Sequence, residues 1–135
     1  MEQQPTPATS IPSTGEHLLD APLFTIDLPL LIEQIKNGPA WKTGKRSAVT
    51  AYKTACLRIV LMALHEGTEI ARHMAEGIIT VQVIHGHIQF NTDDQSVELS
   101  SGQMLTLHEK IPHSVVAKKE TVFLLTLAGP TAPKQ

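Results

Sequence analysis

A chain of 135 residues, 41% hydrophobic and 18% charged, is long enough for one domain with a buried core and too apolar for a disordered segment. Its formal net charge is −2 and no stripe of Lys and Arg stands out, which argues against nucleic acid or an anionic membrane surface as the main partner. No apolar run approaches the roughly 20 residues needed to span a bilayer, and Met1-Glu2-Gln3-Gln4-Pro5 lacks the basic and apolar regions of a signal peptide, so the expected location is the cytoplasm.

Residues 1–22 are rich in Pro, Thr, Ser and Gln and hold few large apolar groups. Such a segment buries too little to offset its ordering entropy, so a flexible arm is expected there, ordered only against a partner subunit. Residues 23–52 read as a helix and a lead-in. Asp27 is placed to cap a helix over 28–36, Pro29 falls in its first turn, and Asn37-Gly38-Pro39 supplies the stop. Leu28, Leu31, Ile32 and Ile35 share one face at helical spacing, a face suited to packing on the outside of a sheet.

From Lys53 onward the apolar period changes to two. The spacing predicts strands over 56–64, 77–85, 87–90, 95–99, 104–107, 114–117 and 121–127, separated by Gly-, Asn- and Asp-containing turns. Short strands at this spacing argue for an antiparallel sandwich or barrel over 53–128, with a second flexible segment over 129–135. The single Cys56 sits in an apolar run and reads as a buried thiol. The runs 56–64 and 121–127 are apolar on both faces and need cover on both. One helix is too little for that, so a homodimer is expected.

Two stretches carry the chemistry. Gly67 and His73 are followed by Gly86; Gly102 is followed by His108, Pro112 and His113. This frame resembles the two motifs of the cupin superfamily, in particular the small single-domain, RmlC-like, cupin-2 type. The resemblance covers roughly residues 55–128 and implies an all-β fold, an antiparallel double-stranded β-helix or jelly-roll barrel, here with one short N-terminal helix. Family members often hold a metal ion with two or three His and one Glu. In this chain Ala75 stands where the second His belongs, Ile79 or Thr80 where the Glu belongs, and Ala117 where the closing Asn belongs. His73 and His113 remain.

Strand parity places His73, Ala75, Ile79, Val81 and Val83 on one face, an imidazole above an apolar wall, with His113 expected opposite. These six residues are the candidate ligand-binding set. His73 and His113 are also the candidate metal ligands, with His108 as a possible third; one divalent Fe, Mn, Ni, Zn or Cu is the cofactor the resemblance would imply. Two imidazoles hydrogen-bonded in a barrel, or a metal-free acid–base pair, explain the same residues. His65, His85 and His87 read as turn residues, and Glu69, Arg72 and Glu76 as a solvated rim. Three functions follow as expectations: binding of a small molecule in the barrel mouth; a metal-dependent oxygenase, decarboxylase or isomerase; and metal-free isomerase chemistry.

Overall fold

The computed structural model describes residues 21–129. The arm expected over 1–22, apart from Ala21 and Pro22, and residues 130–135 of the expected tail lie outside the described residues, as does His17.

Helix α1 (Leu28–Lys36) forms where the sequence places it. Asp27 Oδ1 accepts from the Leu30 N–H at 3.1 Å, which satisfies one of the free donors of the first turn. Leu31 and Ile35 are buried, while Leu28 and Ile32 are partly buried in the same cluster. A second helix, α2 (Pro39–Thr43), follows at once and buries Trp41.

Nine strands build two sheets: β1 (Arg46–Lys53), β2 (Leu57–Leu64), β3 (Glu69–His73), β4 (Ile78–His85), β5 (His87–Thr92), β6 (Ser96–Ser100), β7 (Met104–Leu107), β8 (His113–Ala117) and β9 (Thr121–Ala128). One sheet has the order β1-β2-β9-β4-β7 and the other β3-β8-β5-β6. Every pairing is antiparallel.

Four expectations are corrected. The sheet begins at Arg46, not 53: β1 pairs with β2, and a bulge between Thr50 and Tyr52 breaks the alternation that would have shown it. The expected face running from residue 73 to 83 on one strand does not exist, because the chain leaves the ladder after His73 and re-enters at Ile78 in the other sheet. Two short helices are present among the described residues, not one. Cys56 is exposed, not buried. It lies in the turn before β2, its N–H donating to Thr54 Oγ1 and its carbonyl accepting from Gly129 N–H, so its side chain is outside the apolar run that follows.

The inner faces of the two sheets meet in one core cluster that includes Leu64, Ile79, Val81, Val83, Ile88, Phe90, Val115 and Phe123. The outer face of the larger sheet packs Leu61, Ala63, Ala51 and Val122 under Leu31, Ile35 and Trp41. The sheets are joined at Gly86, between β4 and β5. Gly86 has φ +108°, and a Cβ there would collide with Thr121 Oγ1 and the Glu120 carbonyl, so both backbone and space call for glycine.

Candidate functional site

His73 closes β3 and His113 opens β8, and the two are register partners across the ladder. The ladder shifts between Ile70 and His73. His73 Nδ1 donates to the carbonyl of Ala71, in that shifted stretch, at 2.8 Å. His113 repeats the arrangement, with Nδ1 donating to the Ile111 carbonyl at 2.9 Å, in the loop just before β8. A carbonyl only accepts, so each Nδ1 carries a proton, and in the neutral form of the ring Nε2 then keeps its lone pair.

The two ring centroids are 4.3 Å apart at an interplanar angle of 59°. Phe90 stacks on the other side of His113, with centroids 5.2 Å apart and planes 13° off parallel. His113 is 4% exposed, whereas His73 is exposed at the rim. Burial holds the His113 pKa below its ordinary value; the hydrogen bond to Ile111 opposes this, and the neighbouring His73 adds to the lowering.

Both imidazoles line a cavity of about 120 Å³ between the sheets. The five-stranded sheet contributes Met62, Ile79, Val81, Phe123 and Leu125; the four-stranded sheet contributes Ile70, Phe90 and Val115 beside the two His. Every lining residue other than His73 and His113 is apolar. The loop before β8 reaches across to the segment between β3 and β4, where Lys110 N–H donates to the Ala75 carbonyl at 2.8 Å.

Of the six residues expected to face a ligand, His73, Ile79, Val81 and His113 line this cavity. Ala75 and Val83 are not among its lining residues. Ala75 belongs to the irregular segment after β3 and packs against the core cluster, and Val83 is fully buried further along β4. Met62, Phe90, Phe123, Leu125, Ile70 and Val115 were not singled out from the sequence. Ile70 and Val115 share β3 and β8 with His73 and His113, while the other four lie in strands that carry no motif residue.

His108 does not join the pair. Its side chain is 87% exposed, with Nδ1 3.9 Å from Glu109 Oε1. Among the described residues no group of three His, Cys, Asp or Glu side chains is placed to hold a metal ion. The free Nε2 lone pairs have the form a metal needs, and backbone carbonyls orient the rings as a ligand's outer partners would. The set still falls short of the three protein ligands of a catalytic metal, and it lacks a carboxylate. The donor set of the described residues does not fit a catalytic metal.

Two further His among the described residues, His65 and His87, have structural surroundings. His65 stacks on Trp41, centroids 3.5 Å apart, and its Nε2 donates to the Trp41 carbonyl at 2.8 Å. His87 Nε2 donates to the Glu98 carboxylate, and its Nδ1 lies 3.0 Å from the Ser100 hydroxyl, a cross-strand cluster on the outer face. Both are more engaged than turn residues would be. Arg72 pairs with Asp93 at 2.9 Å on the surface, which raises the guanidinium pKa and lowers that of the carboxyl, chiefly through their side-chain hydrogen bond.

No family model matches the chain, and no curated protein does. Solved structures do. A conserved protein of unknown function from Streptococcus pyogenes is 26% identical over 65% of this chain and 77% of its own, with a TM-score of 0.61. A cupin-2 domain protein from Shewanella frigidimarina is 17% identical over 77% of this chain and 94% of its own, with a TM-score of 0.63. An RmlC-like cupin from Desulfovibrio desulfuricans is 24% identical over 62% of this chain and 82% of its own, with a TM-score of 0.57. The two facing antiparallel sheets, with the His pair between them, have the fold of the cupin superfamily.

Proposed function

We propose that this chain binds a small, mostly apolar molecule in the barrel mouth, with Nε2 of His113 and His73 accepting a hydrogen bond from it. The observation that carries this reading is the composition of the cavity: apolar on every side except for two imidazoles whose Nδ1 protons are already committed. Binding sites of this kind combine an apolar lining with a few placed polar groups. At about 120 Å³ the cavity suits a molecule near benzene in size and is well below the ~300–1,000 Å³ of drug-sized sites.

Phenol and toluene test it, since they share a ring and differ in a hydrogen-bond donor. Titrations followed by amide NMR should shift the resonances of cavity-lining Val81 and Val115, with phenol binding more tightly than toluene. In His113→Ala that preference should shrink. Absence of any shift at the lining residues sinks the proposal. Metal analysis of untagged protein tests the competing metalloenzyme: stoichiometric Fe, Mn, Ni, Zn or Cu that disappears in both His73→Ala and His113→Ala would replace the binding reading. A homodimer is proposed alongside, on the ground that part of the larger sheet's outer face is left uncovered by the helices.

A further inference from the structure

A second cavity, of about 130 Å³, lies at the seam where β6 and β7 each end their sheet. Val97 of β6 and Leu105 and Leu107 of β7 give it an apolar wall, and Gln95 lines it from just before β6. Val97 is 39% exposed, so the seam reaches solvent.

Strand register places this space directly beside the His-lined one. In the larger sheet Ile79 is opposite Leu107 and Val81 is opposite Leu105. The β4 member of each pair lines the His cavity and the β7 member lines the seam. In the smaller sheet one row runs through Val115, Phe90 and Val97 across β8, β5 and β6. Val115 lines the His cavity, Val97 lines the seam, and Phe90 is the residue common to both linings. Side chains opposite each other on adjacent strands stand about 5 Å apart. The two spaces are therefore neighbours, and in the smaller sheet the boundary between them falls on Phe90.

Phe90 is 3% exposed and packs in the core cluster between the sheets. Its ring is also stacked on His113, 13° from parallel. A ring held on that many sides in a close-packed interior stands as a fixed wall.

We infer that Phe90 determines the specificity of the site: its ring closes the His cavity off from the seam and limits the ligand to about the size of one six-membered ring. This rests on the small-molecule reading above and adds the residue that sets the ligand's size. With the ring removed, the two spaces join along the Val115–Phe90–Val97 row into a slot that reaches the seam. Such a slot takes a fused two-ring molecule whose hydroxyl still donates to His113 Nε2.

Phenol and 2-naphthol carry the same hydroxyl and differ by one fused ring. On the full, unaltered chain phenol is expected to bind at least about tenfold more tightly than 2-naphthol, because a packed wall resists added volume. In Phe90→Ala the order should reverse by about the same factor, since the second ring then buries apolar surface in the seam. The amide resonances of Gln95 and Val97 should move when 2-naphthol binds Phe90→Ala, and stay in place when phenol binds the unaltered protein. Phe90→Leu keeps more of the core packing and should shift the ratio in the same direction by a smaller factor. Binding of 2-naphthol to the unaltered protein as tightly as phenol, a ratio unchanged in the variants, or unmoved Gln95 and Val97 amides in Phe90→Ala would overturn the inference. The first of these comparisons needs no variant, so poor folding of Phe90→Ala does not shield it. Should phenol bind and the 2-naphthol comparison fail, the cavity reading stands and the role of Phe90 falls; should phenol not bind at all, both fall.

Discussion

At His113 a ring 4% exposed lies between Phe90 and His73, so a proton added there brings charge into a site with little water. Its pKa is lowered on folding from the ordinary 6.5, chiefly by burial. The unfolded chain then binds the proton more readily than the folded one. Stability from this group is fully present above the unfolded value and is lost as pH falls through the folded one. Unfolding free energy measured by urea from about pH 7.5 to about pH 5 should therefore fall more steeply for the natural protein than for His113→Gln. Equal slopes would show that folding leaves this proton affinity unchanged. At this scale the two His were legible because Gly67, Gly86 and Gly102 frame them at motif spacing.

Among the elements, α1 announces itself through a cap, a proline in the first turn and four apolar residues on one face, and it forms as expected. α2 has five residues, too few to leave a periodic signal or to hold together alone. Tertiary contacts hold it: Trp41 is 8% exposed, His65 stacks on the indole, and Lys36 Nζ stands 5.5 Å from the ring centroid. Lys36 also reaches Glu120 at 2.7 Å, tying α1 to the turn before β9. Replacing Trp41 by Ala should cost about 3–5 kcal/mol in urea unfolding, the range for emptying a buried aromatic site. A loss below about 1 kcal/mol would mean that the helical layer contributes little to the fold. β1 and β3 escaped the sequence for different reasons. A bulge interrupts the alternation of β1, and β3 is an edge strand whose residues, apart from Ile70, are exposed.

For the molecule as a whole, the helical layer covers only part of the larger sheet's outer face. Beyond it a groove is lined by Phe24, Ile26, Tyr52, Leu57 and Ile59, with Leu23 86% exposed beside it. A contiguous exposed apolar face is commonly an interaction surface. Light scattering at micromolar concentration should give twice the chain mass, and a monomer mass would sink the proposed homodimer. Among the described residues no helix is long and apolar enough to cross a membrane. The overall frame was readable from glycine and histidine spacing, while the cavity wall was not, because it is assembled from β2, β3, β4, β5, β8 and β9 rather than from one motif. One detail of that wall has a consequence for binding. His73 and His113 are each fastened to a carbonyl two residues back on their own chain segment, so neither ring needs the other, or a guest, to set its angle. Their side-chain freedom is given up when the protein folds and not when a molecule arrives, which makes the pair a preorganised template rather than one shaped by its ligand.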